Sequence, residues 1–272
     1  MLDIERQAEA GPFVPTTVTN QIIARLMMAH HENRILVVSG PWGIGKSSAI
    51  KEFITQGFYA VVVKCRPASA KKGRSARDVV KHTAEILGDY MGYKPTLDNI
   101  TSMSVLENAV SKMIERWPPY WEAKNVYFAK PPNLTIIYDE AQYLSRSAID
   151  YLRYWNDVDQ TITPFPVSLA FIGNPDFALD DSYGESVISG ALESRADPAF
   201  KLNYGYVLDD DLKRFIHSRN IVDPKIVNSL IAYCSQHPKG RDLRQLDRKI
   251  FRILQRADGG EVTPEIVNSI IL

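Results

Sequence analysis

The stretch LVVSGPWGIGKSSAI, Leu36 to Ile50, decides the fold. Its first half, read from Arg34 to Gly40 as RILVVSG, is an aliphatic and β-branched run without polar alternation, which suits a strand buried in a parallel sheet. Its second half, continued to Gln56 as KSSAIKEFITQ, puts Ile50, Phe53 and Ile54 at helical spacing. Between the two, Gly40, Gly45, Lys46 and Ser47 satisfy the spacing G-x-x-x-x-G-K-[ST]. Strand, glycine loop and helix therefore come in the order that a phosphate-gripping loop requires. Its glycines let backbone N–H groups turn inward around phosphate oxygens, and the helix N-terminus adds a partial positive charge. In such a loop Lys46 reaches the β- and γ-phosphates, Ser47 offers its hydroxyl to Mg²⁺, and Gly43 and Ser48 complete the cradle. ATP and Mg²⁺ are the expected cofactors.

Composition sets the limits around that loop. At 272 residues and 45% hydrophobic content the chain can bury one large domain, with room for a small helical appendage. Thirty-two basic and 32 acidic residues cancel, so any surface for a polyanion must be local. The 2 cysteines, Cys65 and Cys234, form neither a CxxC pair nor a disulfide framework and read as ordinary thiols of a reducing compartment. The N-terminus MLDIERQAEAGPFVP carries charges where a signal peptide needs an apolar run, and no apolar stretch approaches the length of a membrane span. The expectation is a cytoplasmic protein without a membrane partner. One segment, Arg116 to Asn133, reads as a long aromatic-rich connection.

Further along, NLTIIYDEAQYL holds a second apolar strand, Leu134 to Tyr138, ending on Asp139 and Glu140. A carboxylate at the end of such a strand can hold Mg²⁺ beside the phosphate loop, which is the role expected of Asp139. Glu140 is expected to orient and deprotonate an attacking water. A third strand, VSLAFIGN, ends in Asn174 before Pro175. On a strand lying between the other two, Asn174 can hold the same water or the γ-phosphate. From Leu208 onward the pattern is helical without strands: Leu208 to Ser218, Pro224 to Ser235, Arg241 to Ala257, and a last short helix from Pro264.

In this order of motifs the chain resembles the AAA+ ATPases. The resemblance implies an α/β P-loop core, a parallel sheet flanked by helices, over residues 1–205, with a small helical lid over 206–272. It also implies a trans-acting arginine after the third strand, for which Arg195 in SGALESRADPAF is the candidate. A nucleotide-sensing arginine at the start of the third lid helix is implied as well, and PKGRDLRQLD offers both Arg241 and Arg244. Within that superfamily the segment from Gly11 to Ile50 resembles the transposition ATPases of the MuB and TnsC type. There a phrase like FVPT and one amphipathic helix, here about Thr19 to His30 with Ile22, Ile23, Leu26 and Met27 on one face, precede the phosphate loop. The resemblance places Phe13 to Thr16 near the adenine. It further implies ATP-dependent rings or helical filaments on duplex DNA, without strong sequence preference, that choose a target and recruit a transposase.

A local test of DNA binding follows the second strand, YAVVVKC. Lys64, Arg66, Lys71, Lys72, Arg74, Arg77 and Lys81 face the single acid Asp78 in that interval. Small residues separate the charges and no aromatic is interleaved, which suits contact with a duplex backbone better than single-strand stacking. A second stripe, Arg244, Arg248, Arg252 and Arg256, repeats every four residues along one helix and suits DNA, a partner protein or solvent equally. Two other functions fit the motifs: a helicase loader or replication initiator, and a nucleotide-dependent scaffold that does not bind DNA.

Overall fold

The computed structural model describes residues 12–67, 75–92, 97, 102–115, 133–156, 167–174, 199–236 and 240–271. The chain divides into two compact units. One contains Met1–Ile23, Gly40–Glu52 and Leu202–Leu272, and the other contains Ala24–Ser39 and Phe53–Lys201.

The second unit is built on five parallel strands: β1 (Ile35–Ser39), β2 (Ala60–Lys64), β3 (Leu134–Asp139), β4 (Val167–Gly173) and β5 (Phe200–Lys201), in the order β2-β3-β4-β1-β5. Every residue of β1, β3 and β4 is buried, in keeping with their predominantly apolar sequences. Alternate side chains share one face: Ile35 and Val37, Val61 and Val63, Leu134, Ile136 and Tyr138, Val167, Leu169 and Phe171 all join a single core cluster. The cluster is completed from helices α3 (Ala76–Met91), α4 (Met103–Glu115) and α5 (Arg146–Leu152), which contribute Val80, Leu87, Leu106, Val110, Ile149 and Leu152. At its centre Tyr138 stacks on Phe171, with ring centroids 5.3 Å apart. The opposite face meets helix α1 (Thr17–Glu32) through polar contacts, in which His30 Nδ1 lies 2.8 Å from Thr135 Oγ1 and Ser168 Oγ donates to the Ala29 carbonyl.

The first unit joins the start of α1 and most of helix α2 (Lys46–Thr55) to four helices: α6 (Asp209–His217), α7 (Pro224–Gln236), α8 (Leu243–Ala257) and α9 (Pro264–Ile271). Asp211 is fully buried and ties two of these together. Its carboxylate accepts from Thr17 N at 2.9 Å, from Leu208 N at 3.0 Å and from the Arg214 guanidinium at 2.5 Å.

The expected elements form, with shifted ends. Helix α1 starts at Thr17 because Thr16 and Thr19 cap each other, Thr16 N donating to Thr19 Oγ1 at 2.8 Å and Thr19 N to Thr16 Oγ1 at 3.2 Å. Helix α8 starts at Leu243 and not at Arg241, because Asp242 takes the N-cap position and accepts from Arg244 N and Gln245 N at 2.9 and 3.1 Å. Helices α3 and α4 and the two-residue β5 fall where the sequence reading placed no element. Most of the expected aromatic connection, 116–132, lies outside the described residues. Cys65 and Cys234 are both buried thiols outside any disulfide, and burial pushes the Cys234 thiol up to about 11.

Candidate nucleotide site

In the first unit the glycine loop is shaped by backbone that L side chains resist. Gly43 has φ 74° and Gly45 φ 101°. A Cβ at Gly43 would stand 1.7 Å from Asp242 Oδ1, and one at Gly45 would stand 2.8 Å from Thr19 Cγ2. Both glycines are thus required twice, by dihedral and by close approach. Lys46 is buried, and its ammonium is satisfied by the loop itself, donating to Gly40 O at 2.6 Å and Pro41 O at 2.8 Å. That holds a buried positive charge over the loop at the N-terminus of α2, where the helix adds its own partial positive charge. Ser47 and Ser48 are exposed on the first turn of α2.

The N-terminus of α8 is attached to this loop. Leu243 N donates to Gly43 O at 2.9 Å, and the Asp242 carboxylate lies where a side chain on Gly43 would be. The two candidate sensing arginines consequently differ. Arg241 precedes the helix and its guanidinium donates to Val207 O, to Asp209 Oδ1 of α6 and to Ser235 Oγ of α7. Arg244, in the first turn of α8, is exposed, and among the described residues its side chain has no hydrogen-bonded or ionic partner. From the FVPT phrase, Phe13 is exposed and Thr16 is fully buried at the start of α1.

In the second unit the parallel register lines up the carboxyl ends of three strands. Asp139 of β3 pairs with Ile172 of β4, and Gly173 of β4 pairs with Ser39 of β1. Asp139 and Asn174 therefore stand at one edge, and Gly40 follows Ser39 directly in the chain. Carboxyl ends of parallel strands are where open α/β sheets bind ligands. Asp139 and Asn174 are both buried.

Glu140 adopts the left-handed conformation, φ 59° and ψ 42°, which costs a residue with a Cβ about 1 kcal/mol. The bend is held from both sides. Glu140 N donates to Asp139 Oδ1 at 3.0 Å, and the Glu140 carbonyl accepts from Tyr143 N at 3.1 Å. Its carboxylate Oε2 accepts from Gln142 Nε2 at 2.5 Å, and Gln142 Oε1 accepts from Asn174 N at 3.1 Å. Gln142 was missed in the sequence reading, where its only signal is a polar residue two positions after the carboxylate pair in DEAQ.

The charged surfaces are partly within view. Lys64, Arg66 and Arg77 are exposed, whereas Lys71, Lys72 and Arg74 lie outside the described residues, as does Arg195. Arg244, Arg248, Arg252 and Arg256 are exposed along α8, and among the described residues none has an ionic partner. Among the described residues there is no group of three or more His, Cys, Asp and Glu that could hold a metal, and no helix is long and apolar enough to cross a membrane.

A sequence profile described as AAA domain matches residues 29–179, just over half of the chain. No curated protein sequence matches significantly. Among solved structures, Drosophila ORC bound to DNA is similar at 14% identity and TM-score 0.58, covering 97% of this chain and 62% of that one. Cdc6p from Pyrobaculum aerophilum is similar at 14% identity and TM-score 0.59, covering 96% and 68%. The R170A variant of RuvB from Thermotoga maritima is similar at 13% identity and TM-score 0.50, covering 95% and 69%. The chain thus spans less than two thirds of the ORC chain, and at these identities the likeness is one of fold.

Proposed function

The chain belongs to the AAA domain family, and from that premise we propose that it is an ATPase of the MuB and TnsC type, which assembles with copies of itself on duplex DNA and directs a transposase to its target. The observation that carries the ATPase part is the left-handed glycine loop around a buried Lys46 in the first unit; the second unit, taken by itself, has Asp139 and Asn174 at the carboxyl edge of its sheet.

These donors suit a magnesium nucleotide. Lys46, the loop N–H groups and Arg244 are matched to phosphate oxygens, while the Ser47 hydroxyl and the Asp139 carboxylate are hard oxygen ligands of the kind Mg²⁺ takes. The ion, when bound, neutralises phosphate charge. Lys46 carries the charge that phosphates attract, and its loop carbonyls give way to better acceptors. Glu140 is the base toward a water, and Asn174 orients that water by hydrogen bonding. Arg244 is preferred to Arg241 as the sensing arginine, because Arg241 is committed to α6 and α7. Arg195 is proposed as the trans-acting arginine, and the segment 206–272 as the lid.

The DNA part rests on Arg66 and Arg77, which are exposed at the two ends of the basic stretch that includes Lys71, Lys72 and Arg74. A duplex held by such side chains is bound through its phosphates, so affinity falls steeply with salt and little with sequence. The likeness in fold to ORC and Cdc6p favours a second reading, a replication initiator or helicase loader. Which complex the ATP-bound protein retains, a transposase or a helicase, separates the two.

The deciding experiment is sedimentation with random-sequence duplex in ATP, ADP and no nucleotide. Assembly on DNA in ATP alone supports the proposal. Loss of DNA binding on charge reversal at Lys71, Lys72 and Arg74, with ATP binding intact, localises it. Absence of DNA binding in every nucleotide state leaves the ATPase and moves the reading to a scaffold. Glu140→Gln is expected to bind ATP, to turn over at least about a hundredfold more slowly and to stay locked on DNA. Normal turnover by that variant removes Glu140 from its role.

A further inference from the structure

The Gln142 amide joins two groups that the proposed chemistry treats separately. Its Nε2 donates to the Glu140 carboxylate at 2.5 Å, and its Oε1 accepts from the backbone N–H of Asn174, the first residue after β4, at 3.1 Å. Gln142 sits in the 3₁₀ turn Ala141–Tyr143, which is fixed by hydrogen bonds from Tyr143 N to Glu140 O and from Leu144 N to Ala141 O, and by the burial of Ala141 and Leu144. The donor is therefore placed by rigid backbone and its acceptor is placed by the left-handed bend at Glu140.

We propose that Gln142 is a positioning residue for ATP hydrolysis: it sets the orientation of the Glu140 carboxylate and couples it to the end of β4, so that Asn174 and Glu140 move as one unit. This rests on the proposed role of Glu140 and adds a residue to it. An amide N–H donated to a carboxylate oxygen fixes one rotamer of that side chain. The same side chain bonded to Asn174 N transmits any shift at the strand end to that carboxylate. Neither group carries out its part alone. Phosphate contact at Asn174 alters the position of its backbone N–H, and the Gln142 amide moves with it, carrying Glu140 toward or away from the water. No bond is made or broken by Gln142, and the proton taken from water goes to Glu140.

Two substitutions at Gln142 test this in the full-length protein under conditions of assembly. Gln142→Met keeps the shape and removes both hydrogen bonds, and Gln142→Glu keeps an acceptor for Asn174 N while placing a second carboxylate against Glu140. For Gln142→Met, kcat is expected to fall about tenfold or more with KM for ATP and nucleotide affinity within about twofold of the parent, as for a misplaced reacting group. Gln142→Glu loses the donor toward Glu140, so its kcat is expected to fall at least as far as that of Gln142→Met, again with nucleotide affinity within about twofold of the parent. An unchanged kcat in Gln142→Met or in Gln142→Glu, or a loss of ATP affinity matching the loss of turnover, overturns the proposal. Glu140→Gln in parallel separates the two levels. If it keeps turning over, the proposed role of Glu140 falls, whereas if it is inactive and Gln142→Met is normal, only the coupling falls.

Discussion

A methyl group on Gly43 has nowhere to go. The backbone there is left-handed and the Asp242 carboxylate occupies the space. Gly43→Ala is expected to destabilise the fold by about 2 kcal/mol, the sum of a left-handed alanine and a displaced helix cap. A lowered thermal midpoint with weakened nucleotide binding is the expected result. An unshifted midpoint means that Asp242 moves aside freely. Lys46 is the contrasting case, since its ammonium is satisfied by carbonyls of the loop, and its removal takes away charge without touching the core. Lys46→Ala is expected to melt close to the parent and to lose ATP binding, read by calorimetric titration, together with ATP-dependent assembly on DNA.

Elements are held together here by buried polar contacts as well as by apolar packing. His30, near the end of α1, meets Thr135 of β3, and burial together with the nearby His31 lowers its pKa from 6.5 to about 4. An unfolded chain takes up that proton near pH 6.5 and the folded one only near pH 4, so the folded state holds fewer protons between the two values. The His30 contribution to stability is therefore complete above pH 6.5 and declines as pH falls toward 4. Thermal midpoints at pH 7 and pH 5 check this, and His30→Gln, which does not titrate, is expected to show a smaller drop. An equal drop in the two proteins assigns the loss to carboxylates elsewhere. At α8 the corresponding link is Asp242, whose carboxylate caps the helix. Asp242→Ala is expected to cost about 1 kcal/mol in a denaturant titration, and to loosen the loop to which Leu243 N is bonded.

Assembly belongs to the whole molecule. With 32 basic and 32 acidic residues the chain carries no net repulsion between copies. If Arg195 completes the site of a neighbouring copy, turnover per chain rises with protein concentration and Arg195→Ala loses about a thousandfold in kcat. Mixing Arg195→Ala with Glu140→Gln, which keeps its arginine, is then expected to restore part of the turnover. No restoration at any ratio places the stimulating arginine elsewhere.

Residue type and spacing alone determined the phosphate loop, the buried strands, the carboxylate pair at the end of one of them and the helical character of the chain from Leu208 onward. Each of these is local, since a glycine's freedom, a β-branched run and a 3.6-residue period need no distant partner to be recognised. The helices α3 and α4 escaped the sequence reading, although α3 is bracketed by Ser75 as its cap and by Gly92 in the left-handed region. What only the tertiary structure decided involves pairs distant in sequence. It set Asp242 against Gly43, spent Arg241 on Val207 and Asp209 while leaving Arg244 exposed, and put Gln142 between Glu140 and the end of β4. The reason is physical: a hydrogen bond depends on distance and direction to within fractions of an ångström, and those are fixed by how helices and strands pack, not by the spacing of residues along the chain.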